Sequence, residues 1–326
     1  MTTTDLPEGY TMRAPTPDDL DALAALLVAH GEARAGKAQW LPPAARAWIV
    51  SVWETPGFDV ARDARVIVAP AGEVVGYVTL WRPDDASGHF VASPRIAPGY
   101  EALGLDAALL RWAEPLARLL VAALPAEVAV TLNSWVDGPD PIAEETLTHA
   151  GFHLAQRYLR MQIHMHAPPL APVWPAGAVV RPFVAGQDER AVYDVMQAAF
   201  AGVYDYDVSY EEWRREIFAP QQMDPALWTL AADGETLVGA IISREDTDDE
   251  GPLGWLEDVG VLPTWRKRGL GLAMLLHSFG VFYARGVMRC GLSVDAHNAS
   301  GAVQLYQRAG MAPQPFQNIR YEKALR

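Results

Sequence analysis

The residues with the clearest chemical potential lie between Arg266 and Gly271, in a basic, glycine-rich segment that reads RKRGLG. The apolar run before it, which contains Val259 and Val261, predicts a buried strand. The apolar residues after it recur at three- and four-residue spacing and predict an amphipathic helix. A helix start presents free N–H groups and the positive end of the helix dipole, and glycines let an anion approach the backbone. The segment therefore predicts a phosphate or pyrophosphate site.

A dinucleotide-binding loop is the first alternative for this segment. The sequence GLGLA at 269–273 fits the first part of that fingerprint, and Asp295 ends a later predicted strand near the position of a ribose-binding carboxylate. In that fold, however, the first glycine follows the strand at once. Here seven residues separate Val261 from Gly269, and three of them are basic. Too little chain follows for two mononucleotide-binding halves, so the spacing favours another kind of phosphate loop.

A second block of sequence strengthens this interpretation. A predicted strand at 292–294 is followed by NASGAVQLYQRAGM at 298–311, which has a polar start, helical spacing and a final glycine. The two blocks contain R-x-x-G-x-G after V-x-V and then N-x-x-G-x-x-x-x-Y-x-x-x-G-M. In this order and at this spacing they resemble the signatures of the GNAT superfamily of acyl-CoA-dependent N-acetyltransferases. The resemblance is specific over residues 254–311.

The resemblance implies acetyl-CoA as co-substrate and gives roles to individual residues. It implies that the loop wraps the pyrophosphate of coenzyme A. It also implies that the strand splays from its neighbour and holds the pantetheine arm through free backbone groups. The cofactor-binding residues that it implies are Val259, Gly260, Val261, Arg266, Lys267, Arg268, Gly269, Leu270, Gly271, Asn298 and Gly301. For Asn298, a helix N-cap is an equal alternative.

Two side chains are candidates for the chemistry of acyl transfer, which needs a neutral amine and a proton for the departing thiolate. The resemblance implies Glu257 as the general base or amine-orienting group. Regular strand alternation predicts that it shares a face with Val259. The resemblance also implies that Tyr306 donates a proton or a hydrogen bond to the sulfur. A cross-strand ion pair for Glu257 and simple packing for Tyr306 are the alternatives.

The acceptor and a metal are less well defined. The resemblance implies that Tyr204, Asp205 and Tyr206, between the first two helices of the second half, cover the acceptor. Acidic groups with tyrosines suit a cationic amine, and a solvated turn is the alternative. His164 and His166 share one side of a predicted strand, but two histidines without a third ligand do not define a metal site. We therefore predict no metal.

The composition limits the possible partners. The 326 residues carry a formal net charge of −14, which argues against nucleic acid and anionic membranes and favours a neutral or cationic acceptor. Cys290 is the only cysteine, so no internal disulfide forms, which suits a reducing cytoplasm. The sequence shows neither a signal peptide nor an apolar run of membrane-spanning length. We therefore expect a cytoplasmic protein that acts on a small-molecule amine, as a monomer or homodimer.

The order of predicted elements occurs twice along the chain. Three landmarks recur in the same order: Val75-Gly76 and Val238-Gly239, Pro98–Gly104 and Pro263–Gly269, and Gly151-Phe152 and Gly310-Met311. The stretch 167–177 contains four prolines and predicts a stiff linker. We therefore predict two tandem GNAT-like domains, 1–166 and 178–326, of the α/β (α+β) class. Each would be a mixed, largely antiparallel sheet with helices on both faces.

The two predicted domains differ in chemistry. The first half has Glu101 for Arg266, Asp106 for Gly271, Pro94 for Val259 and Leu147 for Tyr306. Two carboxylates would repel a pyrophosphate, and the proline removes a strand N–H. The first domain is therefore predicted to be a degenerate copy, with the intact acyl-CoA motifs and catalysis in the second.

These observations predict an N-acetyltransferase that moves an acetyl group from acetyl-CoA to a primary amine of a small molecule. The alternatives are a non-catalytic protein that binds or senses acyl-CoA, and an enzyme that acetylates a protein or peptide amine. The tandem arrangement with one intact half also resembles the mycothiol synthases. As we align them, those enzymes carry a carboxylate where this chain has Trp255.

Overall fold

The structure is a computed structural model that describes residues 6–35, 42–82, 88–122, 124–201, 209–218, 224–248, 250–298 and 300–326. The chain divides into two compact units. Unit 1 consists of Met1–Tyr158 and Pro315–Arg326, and unit 2 consists of Leu159–Gln314. These bounds differ from the predicted domain boundaries, because the last strand carries the end of the chain back into unit 1. The division into repeats at 1–166 and 178–326 stays a prediction.

Unit 1 combines helices with short strands. Its helices are α1 (Leu20–Ala35), α2 (Pro42–Trp53), α3 (Val60–Asp63), α4 (Leu105–Val121) and α5 (Pro141–His149). Strands β1 (Thr11–Arg13), β2 (Ala64–Val68), β3 (Val74–Thr79) and β5 (Arg95–Ile96) form an antiparallel sheet in that order. Strand β6 (Thr131–Asp137) pairs in parallel with β4 (His89–Val91) and antiparallel with β13 (Ala312–Ala324). Strands β5 and β6 therefore belong to different sheets.

Unit 2 is built on longer strands. Strand β7 (His153–His164) leads from unit 1 into unit 2. The strand order in unit 2 is then β12 (Arg289–Asp295), β11 (Gly251–Val261), β10 (Thr236–Asp248), β9 (Thr229–Asp233) and β8 (Ala178–Arg181). Strands β11 and β12 are parallel, and the pairs from β11 to β8 are antiparallel. The helices are α6 (Glu189–Phe200), α7 (Tyr210–Ile217), α8 (Leu270–Ala284) and α9 (Ala302–Arg308).

Helices cover both faces of the unit 2 sheet, and glycines let them approach closely. A Cβ atom at Gly260 of β11 would lie 2.7 Å from Sδ of Met196 in α6. A Cβ atom at Gly239 of β10 would lie 2.7 Å from Sδ of Met274 in α8. Because Gly239 stands opposite Val261, the residue next to Gly260, these two glycines face opposite sides of the sheet. The predicted fold class, a mixed and largely antiparallel sheet with helices on both faces, is confirmed.

The internal repeat is visible in the contacts that follow the first strand of each half. Arg13 donates to both carboxylate oxygens of Asp19 at 2.7 Å, and Arg181 donates to both oxygens of Asp188 at 2.6 and 2.7 Å. The hydrogen bonds from Arg13 lower the pKa of Asp19 to about 2, and those from Arg181 lower the pKa of Asp188. Each half thus fixes the entry to its first long helix with the same bidentate pair.

Two element boundaries differ from the sequence predictions. The apolar residues over 128–132 predict a strand there, but the strand in this region is β6, which runs over Thr131–Asp137. A search for apolar runs misses this strand because some of its buried residues are polar. Asn133, for example, is 3% exposed, and its Nδ2 donates to Phe90 O at 3.2 Å. The sequence also predicts one strand over 89–96, which Pro94 weakens; the structure instead has two short strands there, β4 and β5, since proline has no N–H to pair.

The proline-rich segment predicted as a linker lies in unit 2. It packs on α8, where the ring of Trp174 meets that of His277 edge-on with centroids 5.8 Å apart. A Cβ atom at Gly280 would also lie 3.9 Å from Cγ of Pro169. Among the residues that the structure describes, none of the helices combines the length and the apolar character that a membrane crossing requires.

Candidate functional site

Strands β11 and β12 separate near the glycine loop. They pair at Gly254 with Cys290 and at Trp255 with Gly291, and no further pair follows among their described residues. The tight packing of both faces fixes the path of β11. A Cβ atom at Gly254 would lie 2.7 Å from the ring of Phe282 in α8, and Gly260 lies equally close to α6. The strands therefore part towards the end of β11 that leads into the loop.

A β-bulge lies at Glu257, on the splayed part of β11. Ile242 pairs with Asp258 and Ser243 with Leu256, so Glu257 is the extra residue. The prediction that Glu257 and Val259 share a face is wrong, because the bulge interrupts the alternation on which it depended. Val259 packs in the core that contains α8, whereas the Glu257 side chain points towards Arg244.

The carboxylate of Glu257 is part of a charged cluster on β10 and β11. Its Oε2 accepts from Nε of Arg244 at 3.2 Å, and Nη1 of Arg244 donates to Oδ2 of Asp246 at 2.7 Å. The Glu257 side chain is 45% exposed. The cross-strand ion pair that the sequence left as an alternative is therefore present. The pair fixes the direction in which the Glu257 carboxylate points.

The glycine loop adopts the backbone of an anion site. After a 3₁₀ turn at Pro263–Trp265, Arg266 is extended, Lys267 is left-handed with φ 59°, and Gly269 is left-handed with φ 88° at the start of α8. Lys267 is the only non-glycine residue with positive φ among those the structure describes. Turns of this kind make concavities lined by N–H groups, and here the concavity meets a helix N-terminus.

Two glycines in this loop serve different needs. No heavy atom lies within 4 Å of a Cβ placed on Gly269, so its need is conformational. A Cβ on Gly271 would lie 3.0 Å from Cδ2 of Leu305 in α9. Gly271 therefore lets α8 and α9 approach each other closely.

The three basic side chains of the loop point in different directions. Arg266 donates to Ala199 O at 2.6 Å and to Val261 O at 3.2 Å. The guanidinium of Arg268 stacks on Trp265, with Cζ 3.8 Å from the ring centroid. The side chain of Lys267 is exposed. Two of the three predicted phosphate ligands therefore contact the protein itself.

Helix α9 begins at the far side of the separated strands. Gly301, with φ 81°, is its N-cap, so the N-cap alternative for Asn298 is wrong. Oδ1 of Asn298 instead accepts from the backbone N–H of Ser300 at 2.9 Å, which fixes the turn before the helix. Tyr306 is 7% exposed and packs in the same core as Leu270. Burial of this kind suits both packing and contact with a sulfur atom.

Tyr204, Asp205 and Tyr206 fall outside the described residues. The rings of His164 and His166 stack with centroids 4.3 Å apart. Within the described ranges, no group of three or more His, Cys, Asp or Glu side chains is placed to hold a metal ion.

Sequence reasoning missed an aromatic floor beside Glu257. A Cβ at Gly291 would lie 3.1 Å from Cζ3 of Trp255 and 3.2 Å from Cγ of Gln162, so these side chains lie over the glycine. Cζ of Arg160 is 5.0 Å from the centroid of the Trp255 ring. A lone glycine in an apolar strand signals such a close approach and could have indicated this floor.

Comparisons with known proteins agree with this geometry. The family model described as "Acetyltransferase (GNAT) family" matches residues 190–311. A mycothiol acetyltransferase of Thermobispora bispora is 31% identical over 73% of this chain and 76% of its own length. One from Nocardia farcinica is 28% identical over 90% of each chain.

Solved structures extend the similarity over nearly the whole chain. A GCN5-related N-acetyltransferase from Sphaerobacter thermophilus is 32% identical, with a TM-score of 0.83 over 98% of this chain and 97% of that one. A tandem GNAT protein from the clavulanic acid biosynthesis pathway has a TM-score of 0.71 at 16% identity over 97% of this chain and 99% of that one. The second likeness concerns the fold alone.

Proposed function

We propose that this chain, which belongs to the GNAT family of acetyltransferases and uses acetyl-CoA, transfers the acetyl group to a primary amine of a small molecule in unit 2. The observation that carries the proposal is the separation of β11 from β12 beside a left-handed glycine loop that opens α8. Separated strands leave backbone groups for a pantetheine arm, and the loop leaves N–H groups for a pyrophosphate.

The residues present fit acetyl-CoA. Glycine at 269 gives the loop its left-handed turn and leaves open space beside it, and glycine at 271 lets α9 pack against the first turn of α8. Lys267 supplies an exposed positive charge at the same place. In this proposal the backbone from Arg266 to Gly271 holds the pyrophosphate, and Val259, Gly260 and Val261 hold the pantetheine arm. The turn formed by Asn298 and Gly301 borders the arm on the opposite side.

In the proposed reaction, Glu257 and Tyr306 handle the two protons. The amine nitrogen bonds to the acetyl carbon as the carbon–sulfur bond breaks. An amine that arrives protonated first gives one proton to the carboxylate of Glu257, directly or through water, which frees its lone pair, and the nitrogen loses its second proton to solvent after the bond has formed. The hydroxyl of Tyr306 gives its proton to the departing sulfur and recovers one from solvent. Arg244 keeps Glu257 oriented between these steps.

The charge of the chain supports an amine as acceptor. The formal net charge is −14, and the exposed carboxylates of Glu257 and Asp246 lie close together on β11 and β10. A negative field attracts a protonated amine to the site. The relatives' name points to the acceptor of the mycothiol acetyltransferases as one amine to test. The tryptophan at 255, in place of a carboxylate, favours a different small amine.

The test is thiol release from acetyl-CoA over a panel of amines, with the products read by mass spectrometry. The panel includes polyamines, amino sugars, amino acids, a lysine peptide and the acceptor of the mycothiol acetyltransferases. We expect one class of small amines to release thiol and gain 42 Da, the mass of an acetyl group that replaces hydrogen, at roughly 1–10³ turnovers per second. Acetylation of the peptide alone would contradict the small-molecule acceptor. Tight CoA binding without any turnover would contradict the enzyme.

A further inference from the structure

The guanidinium of Arg266 faces the protein backbone on two sides. Nη2 donates to Ala199 O at 2.6 Å, and Nε donates to Val261 O at 3.2 Å. Ala199 lies in the last turn of α6, and Val261 is the last residue of β11. One side chain of the glycine loop therefore ties the end of a strand to the end of a helix.

The end of α6 is a place where this contact matters. The last carbonyls of a helix lack intrahelical partners and carry the negative end of the dipole, so an arginine there both caps and neutralises it. Ala199 is 5% exposed, and a Cβ at Gly260 would lie 3.3 Å from its Cβ. The guanidinium thus fixes α6 at its closest approach to β11.

Unit 1 holds the corresponding helix in another way. The residue that corresponds to Arg266 is Glu101, and its carboxylate accepts from Gly99 N at 2.7 Å, inside its own loop. The end of α1 is held by its own Arg34, whose Nε donates to Oδ2 of Asp140 at 2.5 Å. A link from the loop to the helix therefore occurs in the unit with the intact glycine loop and is absent from the described contacts of Glu101.

We propose that Arg266 is a positioning residue that couples occupancy of the glycine loop to the placement of α6. An anion bound by the loop backbone fixes the base of the Arg266 side chain, and the guanidinium then holds the end of α6 on β11. Helix α6 packs on the face of the sheet that carries Ile242, the partner of Asp258. Loop occupancy therefore shapes the face beside the bulge at Glu257. This inference rests on the proposed function, since it takes the loop as a pyrophosphate site.

The first test is hydrogen exchange of the wild-type protein with and without CoA. We expect CoA to slow exchange in the peptide over 262–272 and in the peptide over 189–201 by at least about fivefold each. Protection of the loop without protection of α6 would overturn the coupling. No binding by calorimetry and no protection in either peptide would instead contradict the proposed function itself.

Two variants at the same position separate coupling from simple phosphate binding. Arg266→Lys keeps the positive charge, but its single ammonium cannot bridge two carbonyls in the fork geometry of arginine. We expect a CoA dissociation constant within about threefold of wild type and loss of the exchange protection of α6. Arg266→Gln removes the charge as well, and we expect the same loss of α6 protection with at most about tenfold weaker CoA binding.

Lys267→Gln is the matched control, because it removes a charge from the same loop at an exposed side chain. It should weaken CoA binding while α6 remains protected at saturating CoA. If Arg266→Gln abolished CoA binding and Arg266→Lys restored it, Arg266 would be a phosphate ligand and the proposal would fall. Retained α6 protection in Arg266→Lys would overturn it equally. Circular dichroism identifies any variant that fails to fold. The exchange measurement on the wild-type protein tests the coupling even if a variant is lost in this way.

Discussion

The first turns of α4 and α8 differ in the groups that they would present to an anion. Both helices follow a left-handed glycine, Gly104 or Gly269. The next position but one is Gly271 in α8, where a Cβ would lie 3.0 Å from Leu305. In α4 it is Asp106, which accepts from Ala107 N at 2.8 Å and bonds to Thr146. The helix contact is retained, but a carboxylate now uses a helix N–H and adds a negative charge.

The gap between separated strands also differs between the units: it lies between β5 and β6 in unit 1 and between β11 and β12 in unit 2. In unit 1, both backbone groups of Trp135 in β6 are bound by side chains from across the gap. Its N–H donates to Oγ of Ser93 at 2.9 Å, and its carbonyl accepts from Nη1 of Arg95 at 3.1 Å. Arg95 also pairs with Asp137 at 2.8 Å. The pocket that remains offers about 20 Å³ to water, room for about one molecule.

The comparison teaches that two separated strands leave backbone N–H and C=O groups that need other hydrogen-bond partners. Unit 1 supplies these partners from its own side chains, Ser93 and Arg95, which stand in the positions of Asp258 and Gly260 of unit 2. Unit 2 has a glycine where unit 1 has the bridging arginine. We infer that the side chains of unit 1 take the place of a pantetheine arm and would close its cleft to CoA.

The largest effect that the comparison predicts concerns the position where unit 2 has Tyr306 and unit 1 has Leu147. Tyr306→Phe should lower kcat by about 10²- to 10⁴-fold, because the departing sulfur loses its proton donor, while CoA binding stays nearly intact. Stopped-flow thiol release and calorimetry measure the two quantities. Tyr283→Phe, near the other end of α8, is the matched control. A Tyr306→Phe enzyme at the wild-type rate would make Tyr306 a packing residue.

The second prediction transfers the chemistry of α4 into α8. Gly271→Asp copies Asp106, so it should repel the pyrophosphate and abolish CoA binding. A saturating ligand at a hundredfold excess over Kd stabilises by about 2.7 kcal/mol, and that stabilisation should disappear from the thermal unfolding curve. Gly271→Ala tests the Cβ alone, and Leu305 can move to accommodate it. An unchanged shift in Gly271→Asp would mean that the loop is not the pyrophosphate site.

Calorimetric titration with CoA also counts the CoA sites in each chain. We expect calorimetry to give about one CoA per chain for the wild type and none for Gly271→Asp. A stoichiometry near two would break the comparison, because it would place CoA in a cleft that Arg95 and Asp106 occupy. The double variant Arg95→Gly, Asp106→Gly tests the comparison further, since it should open the cleft of unit 1 and add a second, weaker CoA site.

The sequence predicted the loop and its helices because their signals are local. Basic residues, glycines and helical periodicity lie within about twenty residues of one another around Gly269. It did not predict the bulge at Glu257, because a bulge is defined by its register with a second strand. Nor did it predict where Arg266 points, since its partner Ala199 is 67 residues away. The bridge from Arg95 to Trp135 was missed for the same reason.

A further prediction uses pH to distinguish the units. Burial, with the charges of Arg95 and Arg34, lowers the pKa of His30 to about 2. The unfolded histidine has a pKa of about 6.5, so its contribution to stability is complete above that pH and decreases below it. Unit 1 should lose about 2 kcal/mol between pH 6.5 and 5, at about 1.4 kcal/mol per unit. Asp106 acts in the opposite sense, because burial raises its pKa.

Hydrogen exchange of β2 and β3 at both pH values measures this loss. His30→Asn keeps a hydrogen-bonding group near Ile96 and should remove most of the pH dependence, and Asp106→Asn should steepen it. An identical pH slope in wild type and His30→Asn would contradict the assignment to His30.

The smallest effect concerns the loop backbone at Lys267, where φ is 59°. A side chain in the left-handed region costs roughly 1–2 kcal/mol, which glycine avoids and a β-branched residue increases. Lys267→Gly and Lys267→Val both remove the charge, so they differ mainly in how readily they adopt this conformation. If the loop holds the pyrophosphate through N–H groups set by this backbone, the valine variant should bind CoA about fivefold to tenfold more weakly than the glycine variant. The glycine variant should also have the higher melting temperature of the two.

Equal CoA affinities in calorimetry would show that the loop works through its side-chain charge instead. The contrast between the units would then reduce to the side-chain charges, with Lys267 in unit 2 and Glu101 and Asp106 in unit 1.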